Sequence, residues 1–277
     1  MPQICRKGRL ANPRSTVKDN NVKSAGSTQT SFWKRSHYLD RMTLRQLVVA
    51  YFQHYTILVY LTLAVGCAVV FAIYPATLLQ TLGCIAVAIF AWPLVWYCLH
   101  RWVLHGSWMY RIPAFAKTWK RIHYDHHQDP NHLEVLFGAL WTTLPTLAII
   151  SLPLGYLIGG IGGAAAAFGW ILLLTCYNEF IHCIQHLSFK PRWKHIANMK
   201  ARHVAHHYHD ENGNFGIANL MWDRILGTLY DKSQRPKRSP WVFNLGYDEE
   251  QAAKYPWVAQ LSGGVASNGP SRRSKGE

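Results

Sequence analysis

Two long stretches without formal charge decide what this chain can fold into. Between Gln46 and Leu99 there is no Lys, Arg, Asp or Glu, and between His132 and Tyr177 there is only Glu134. Each stretch is about 50 residues long, whereas a helix needs roughly 20 apolar residues to cross a bilayer. Each therefore has room for two crossings. Turn residues stand where hairpins require them: Tyr74-Pro75-Ala76 divides the first stretch, and Pro153, Gly159, Gly160, Gly162 and Gly163 divide the second. The pattern predicts an all-α integral membrane protein with four transmembrane helices in two hairpins, spans falling near 48–73, 78–99, 134–152 and 164–181. Within the unit 46–230, residues 100–132 and 182–230 are left to form a helical cap. Residues 1–45 read as a basic disordered lead, and 231–277 as a C-terminal segment that ends in a loose tail.

The charge follows the same plan. The net charge is +15, and all 29 Lys and Arg residues fall in 1–45, 100–132 and 182–277. Four crossings put those three segments on one side of the membrane, and the positive-inside rule makes that side cytoplasmic. Topology thus accounts for the basic character without a nucleic-acid partner. The first 40 residues lack the apolar core of a secretory signal. The six cysteines include no C-x-x-C pair and read as apolar packing residues.

The histidines collect where the predicted spans end. His100 and His105 follow the second span in "LHRWVLHG", and His123, His126 and His127 precede the third in "HYDHH". His182 and His186 close the fourth in "HCIQH", and His203, His206 and His207 follow in "HVAHH". Residues three and four apart share a helix face, so each H-x-x-H-H triplet is expected to aim three imidazoles one way. His100 and His105, five apart, would diverge on an ideal helix, and Gly106 suggests a helix end that turns His105 inward. The remaining His37, His54, His132, His195 and His209 read as polar residues of the membrane surface. Ten histidines are too many for one ion, so two metal ions are expected. Their pairing with particular histidines stays open, and imidazole alone does not name the metal. Asp125, Glu179, Asp210 and Asp223 are the carboxylates placed to orient the rings.

These boxes, H-x4-H, H-x2-H-H, H-x3-H and H-x2-H-H in order, resemble the membrane fatty acid hydroxylase and sterol desaturase superfamily, in particular its fatty acid 2-hydroxylases. The resemblance covers about His100 to Tyr230 and includes "YNEFIHCIQH" and the run "NFGIANLMWDRILGT". It implies that His100, His105, His123, His126, His127, His182, His186, His203, His206 and His207 bind a non-haem dimetal centre that activates dioxygen. Hydroxylation of an unactivated C–H bond needs a redox metal, and zinc has no redox chemistry. Two iron ions are therefore expected, with zinc possible in isolated protein.

The implied substrate is a lipid acyl chain, hydroxylated at the 2-position, because metals just outside the bilayer lie level with head-proximal carbons. No His-Pro-Gly-Gly haem motif occurs, so the electron donor is expected to be separate, of ferredoxin or cytochrome b5 type. Lys190, Arg192, Lys194, Lys200 and Arg202 offer either a docking surface for it or a seat for lipid headgroups. Phe215-Gly216 and Trp222-Asp223 read as structural closure over the metals. The host membrane would be a bacterial inner membrane or the endoplasmic reticulum. Rival readings are a hydroxylase or desaturase of a sterol, carotenoid or aminolipid headgroup, and a metal transporter. A transporter would carry its ionisable ligands at mid-membrane, whereas these ten flank the spans.

Overall fold

The computed structural model describes residues 37–266 and Gly269; the expectations for 1–36 and for most of the tail lie outside the described residues. Among the described residues there are helices and no sheet, with one isolated antiparallel bridge between Tyr38 and His132. Among the described residues, three segments are long and apolar enough to cross a membrane: Tyr55–Ile73, Leu78–Leu104 and Leu133–His186. Their outer faces are apolar, with Leu79 82 % and Leu157 81 % exposed. Such surface is stable against lipid and unstable against water.

Helix α1 (Leu44–Gln53) and α2 (Tyr55–Ile73) replace the single first span expected over 48–73. The break falls at His54, whose extended backbone lets its Nδ1 accept from the Thr56 N–H at 3.4 Å while its ring stacks on Phe137. A side chain that can cap a helix start costs less at a helix boundary than inside a helix. His54 therefore bounds the span instead of lying within it.

Helices α1 and α3 (Leu78–Cys98) both begin with a Thr-x-x-Gln capping box, Thr43 with Gln46 and Thr77 with Gln80. The box satisfies the first free N–H groups without introducing charge. Pro75 and the Thr77 box together explain the tight turn from α2 into α3.

Short helices form the cap: α4 (Trp108–Arg111), α5 (Pro113–Trp119), α6 (Asp125–Gln128) and α7 (Leu133–Leu136). The long α8 (Leu140–His186) packs against α2 and α3. It is continuous only in name: Gly159 and Gly160 leave helical geometry, Gly160 at φ +63°. Beyond them the chain folds back, since a Cβ on Gly155 would collide with the Gly163 carbonyl, and one on Gly162 with the Tyr74 carbonyl. Glycine is required at Gly160 by its left-handed backbone and at Gly163 by the close approach.

After α8 come α9 (Lys194–Tyr208), α10 (Met221–Ile225), α11 (Glu249–Lys254) and α12 (Trp257–Ser262). Residues 245–258 return to the cap, where Tyr247 and Val258 join Tyr110, Trp119 and Tyr124 in a buried aromatic cluster. That cluster holds the segment carrying the first histidine triplet from behind.

Replacing Gly163 by Leu forces the two arms of α8 apart and should lower the thermal unfolding midpoint in detergent, overpacking costing about 1–3 kcal/mol or more. Gly66→Ala, where a Cβ meets nothing within 4 Å, should melt like the wild type. Equal midpoints for Gly163→Leu and wild type would remove the close approach from the fold.

Candidate metal centre

The ten box histidines arrive at the cap on four pieces of helix, two of which are π-helical. After α3 the chain continues as a π-helix over Leu99–Leu104, and the His105 N–H donates to the His100 carbonyl at 3.0 Å. An i→i+5 turn stacks residues five apart, so His100 and His105 share a face. The expected helix end at Gly106 is thus preceded by a widened turn, which aligns the pair. A second π-turn, Lys120–Tyr124, carries His123 into α6, where His126 and His127 follow. His182 and His186 end α8, and His203, His206 and His207 line α9.

The rings gather in two groups of five. His100, His105, His123, His127 and His206 form one; His126, His182, His186, His203 and His207 form the other, and within each the ligand atoms lie within 4.8 Å of one another. Contrary to the expectation of one direction per triplet, each triplet is divided. The i and i+4 members, His123 with His127 and His203 with His207, stay together, while the i+3 members, His126 and His206, cross to the other group. The 100° advance per residue explains this: i+3 and i+4 lie on opposite sides of i. Packing α6 against α9 places one centre on each side.

Ring nitrogens approach closely: His105 Nε2 to His123 Nε2 at 2.8 Å, His126 Nε2 to His182 Nε2 at 3.1 Å, and His186 Nε2 to His203 Nε2 at 3.0 Å. Imidazole binds a metal at about 2.0–2.1 Å, which sets ligand nitrogens around one ion roughly 3–4 Å apart. In the first group, His100 Nδ1 donates to the Phe215 carbonyl at 2.5 Å, His127 Nδ1 to that of Val242 at 2.9 Å and His206 Nδ1 to that of Gly213 at 2.8 Å. Each bond fixes the tautomer and leaves Nε2 as a lone pair. The Nε2 atoms of His100, His127 and His206 are buried and meet no hydrogen-bond donor. This donor set fits a metal.

Burial drives His123, His126, His203, His206 and His207 well below the ordinary imidazole value, neighbouring rings adding to the effect. His127 falls to about 3 although the Val242 carbonyl favours its charged form. These rings are neutral at pH 7, the form that binds metals.

The four carboxylates expected to orient the rings do other work. Asp125 pairs with Lys120 at 2.7 Å and Asp210 with Arg235 at 2.5 Å. Glu179 is buried and accepts the Gly138 N–H. Asp223 acts one step away: its carboxylate accepts the Phe215 and Gly216 N–H groups at 2.8 and 2.7 Å and the Thr228 hydroxyl at 2.7 Å. It thereby holds the turn after Asn214 whose Phe215 carbonyl takes His100. The backbone partners at Gly213 and Val242 leave no mark in the sequence, because a carbonyl carries no signature in the residue name.

Four of the five other histidines depart from the surface role expected of them, and His195 keeps it. His132 is buried with its Nε2 2.6 Å from Glu134, whose other oxygen meets His37 at 3.1 Å. His209 donates to the Arg235 carbonyl at 2.5 Å, and His195 alone of the five is exposed. The position of Glu134 explains the first two: a half-buried carboxylate at the end of an apolar segment needs partners.

A cavity of about 310 Å³ touches both groups, through His100 and His123 on one side and His126, His182, His203 and His207 on the other. Its wall is mainly apolar, from Trp92, Trp96 and Leu99 of α3 and its extension to Trp141 of α8, with Glu179 beside His182. Trp141, 63 % exposed, and Phe115, 44 % exposed, mark where it reaches the surface.

The chain is similar to curated lipid hydroxylases over about half its length. It is 28 % identical over 149 residues to the ceramide very long chain fatty acid hydroxylase SCS7 of Saccharomyces cerevisiae, covering 51 % of this chain and 36 % of that protein. To the fatty acid 2-hydroxylase of Mus musculus it is 25 % identical over 160 residues, covering 56 % and 42 %. To the dihydroceramide fatty acyl 2-hydroxylase FAH1 of Arabidopsis thaliana it is 29 % identical over 152 residues, covering 52 % and 60 %. The chain thus spans less than two thirds of the length of these relatives. Among solved structures, full-length scs7p, of which only the hydroxylase domain is visible, superposes with a TM-score of 0.53 at 24 % identity, over 66 % of this chain and 68 % of that one; the likeness is one of fold. The model of the fatty acid hydroxylase family matches residues 85–228, just over half of the 277 residues and all ten box histidines, and the chain belongs to that family.

Proposed function

We propose that this chain is a membrane-bound di-iron oxygenase that hydroxylates a lipid acyl chain at the 2-position, drawing on dioxygen and a separate electron donor. The observation that carries the proposal is the division of ten histidines, nine of them buried, into two groups of five, each with converging ring nitrogens, beside an apolar cavity. In this reading His100, His105, His123, His127 and His206 hold one metal, and His126, His182, His186, His203 and His207 the other. The printed names of the relatives, fatty acid 2-hydroxylase and dihydroceramide fatty acyl 2-hydroxylase, support the choice of substrate and position.

Bound iron supplies the oxidising power that side chains lack. The protein's part is positional. Carbonyls of Phe215, Gly213 and Val242 fix three tautomers before any metal arrives. Trp92, Trp96 and Trp141 offer an apolar bed for the acyl chain and keep water from the reacting carbon. Glu179, in the cavity wall and three residues before His182, is placed to hold a proton near the metals.

The placement relative to the membrane supports the same reading. Counting both arms of α8 as crossings gives four in two hairpins, with the cap and the basic segments on one face, the cytoplasmic one by the charge rule. The pockets for metal then lie where α3 and α8 leave the bilayer.

Metal analysis of purified full-length protein should find about two irons per chain, since each group offers enough ligands for one ion. Lipid extract incubated with oxygen and a reductant should gain 2-hydroxy acyl species; gain of an unsaturated product instead would favour desaturation. His206→Ala and His203→Ala, one from each group, should each lower bound iron toward about one per chain and abolish product, removal of a ligand being costlier than the 10–100-fold of an outer partner. His195→Ala should change neither. Unreduced iron in both alanine variants would contradict the ligand sets.

Acid should weaken the centre. With folded values below the ordinary 6.5, the unfolded chain binds protons that the folded chain refuses, so stability falls as pH drops below 6.5. Metal-stripped protein should therefore melt lower at pH 5.5 than at pH 7.5, and a flat profile would mean that the rings are not buried as described.

A further inference from the structure

We propose that residues 41–45 and 188–194 form one binding surface for anionic phospholipid headgroups at the rim of the membrane-spanning helices. The two stretches are distant in sequence and joined in space, the Ser188 hydroxyl donating to the Asp40 carbonyl at 2.5 Å. Arg41, Arg45, Lys190, Arg192 and Lys194 are all exposed. None of the five has a carboxylate partner among the described residues. Neither stretch contains an acidic residue, and Asp40, next to the first, is half-buried.

Apolar side chains stand among these cations. Trp193 is 79 % exposed, and Leu44 and Phe189 are 37 % exposed each. An aromatic ring left so bare beside Lys and Arg suits the boundary between headgroups and acyl chains, where Trp finds both environments. The patch is continuous with the lipid-facing surface: Trp170, Leu173 and Tyr177 of α8 lead up to it, and Val48, Val49 and Phe52 of α1 lead away.

The loop is held in shape for this task. Lys200, expected at the surface, turns inward and donates to the carbonyls of Leu187 and, at 3.0 Å, Phe189. Arg202 likewise pairs with Asp231 at 2.9 Å and donates to the Tyr230 carbonyl at 2.6 Å. Of the five basic residues singled out around α9, the three that stay free are those flanking Trp193. An acidic protein would be drawn by the charges but would find no need for the bare indole. A bilayer with anionic lipid uses both.

The test titrates full-length protein, released from neutral detergent, with phosphatidylglycerol or phosphatidylcholine and counts bound lipid by native mass spectrometry. Wild type should prefer phosphatidylglycerol. Each cation near an anionic surface is worth about fivefold in affinity, so replacing all five by Gln should remove the preference by at least about tenfold. Arg replacements of the two lysines should keep it, and Trp193→Ala should weaken both lipids. Iron content should be equal in all variants, which separates this result from failure of the oxygenase reading. An unchanged preference in the five-fold Gln variant overturns the proposal. The same follows if that variant keeps its lipid preference while its KM for an acidic ferredoxin rises, which would make the patch a donor-docking surface.

Discussion

Ten imidazoles packed against one another, nine of them buried, are the constraint on which this structure turns. A buried ring nitrogen without a partner costs about 1–3 kcal/mol, and here such atoms are turned toward common points instead of being spread through the protein. Everything around them serves that convergence. The α3 extension widens into a π-turn to aim two rings together, α8 ends where its last two histidines face α9, and carbonyls from three loop positions fix the outer nitrogens.

The two groups are built on one plan used twice. Each takes a span-terminal pair, an i/i+4 pair from the triplet that follows, and a single i+3 ring from the other triplet. The exchange of single rings ties the halves together, since neither group is complete within its own half of the sequence. His127 and His207 lie with ring centroids 4.2 Å apart across that exchange. A helix rotation that relieves one group therefore strains the other.

Much of this is readable from residues. Absent charge between Gln46 and Leu99 locates apolar helices, and the boxes locate the rings, because both signals are local in sequence. The break at His54, the π-turns and the division of the triplets are set by tertiary packing, which spacing on an ideal helix cannot foresee. Partners contributed by backbone carbonyls are invisible to a reading of side-chain types. The count of crossings lies between: the glycines of α8 announce a turn, and the fold-back of Gly155 on Gly163 gives it form.

The bond from His127 to the Val242 carbonyl spans 115 residues, and Val242 lies past the family-matched stretch 85–228. During synthesis, which delivers the chain from its N-terminus and lets early parts fold first, the two groups cannot mature together. The group of His126, His182, His186, His203 and His207 has all its rings once residue 207 has emerged. The other has its rings by then too, but His127 stays unanchored until Val242, about 35 residues further on, has been delivered. Assembly of the centre is thus vectorial, and its last step waits on residues beyond the family-matched stretch.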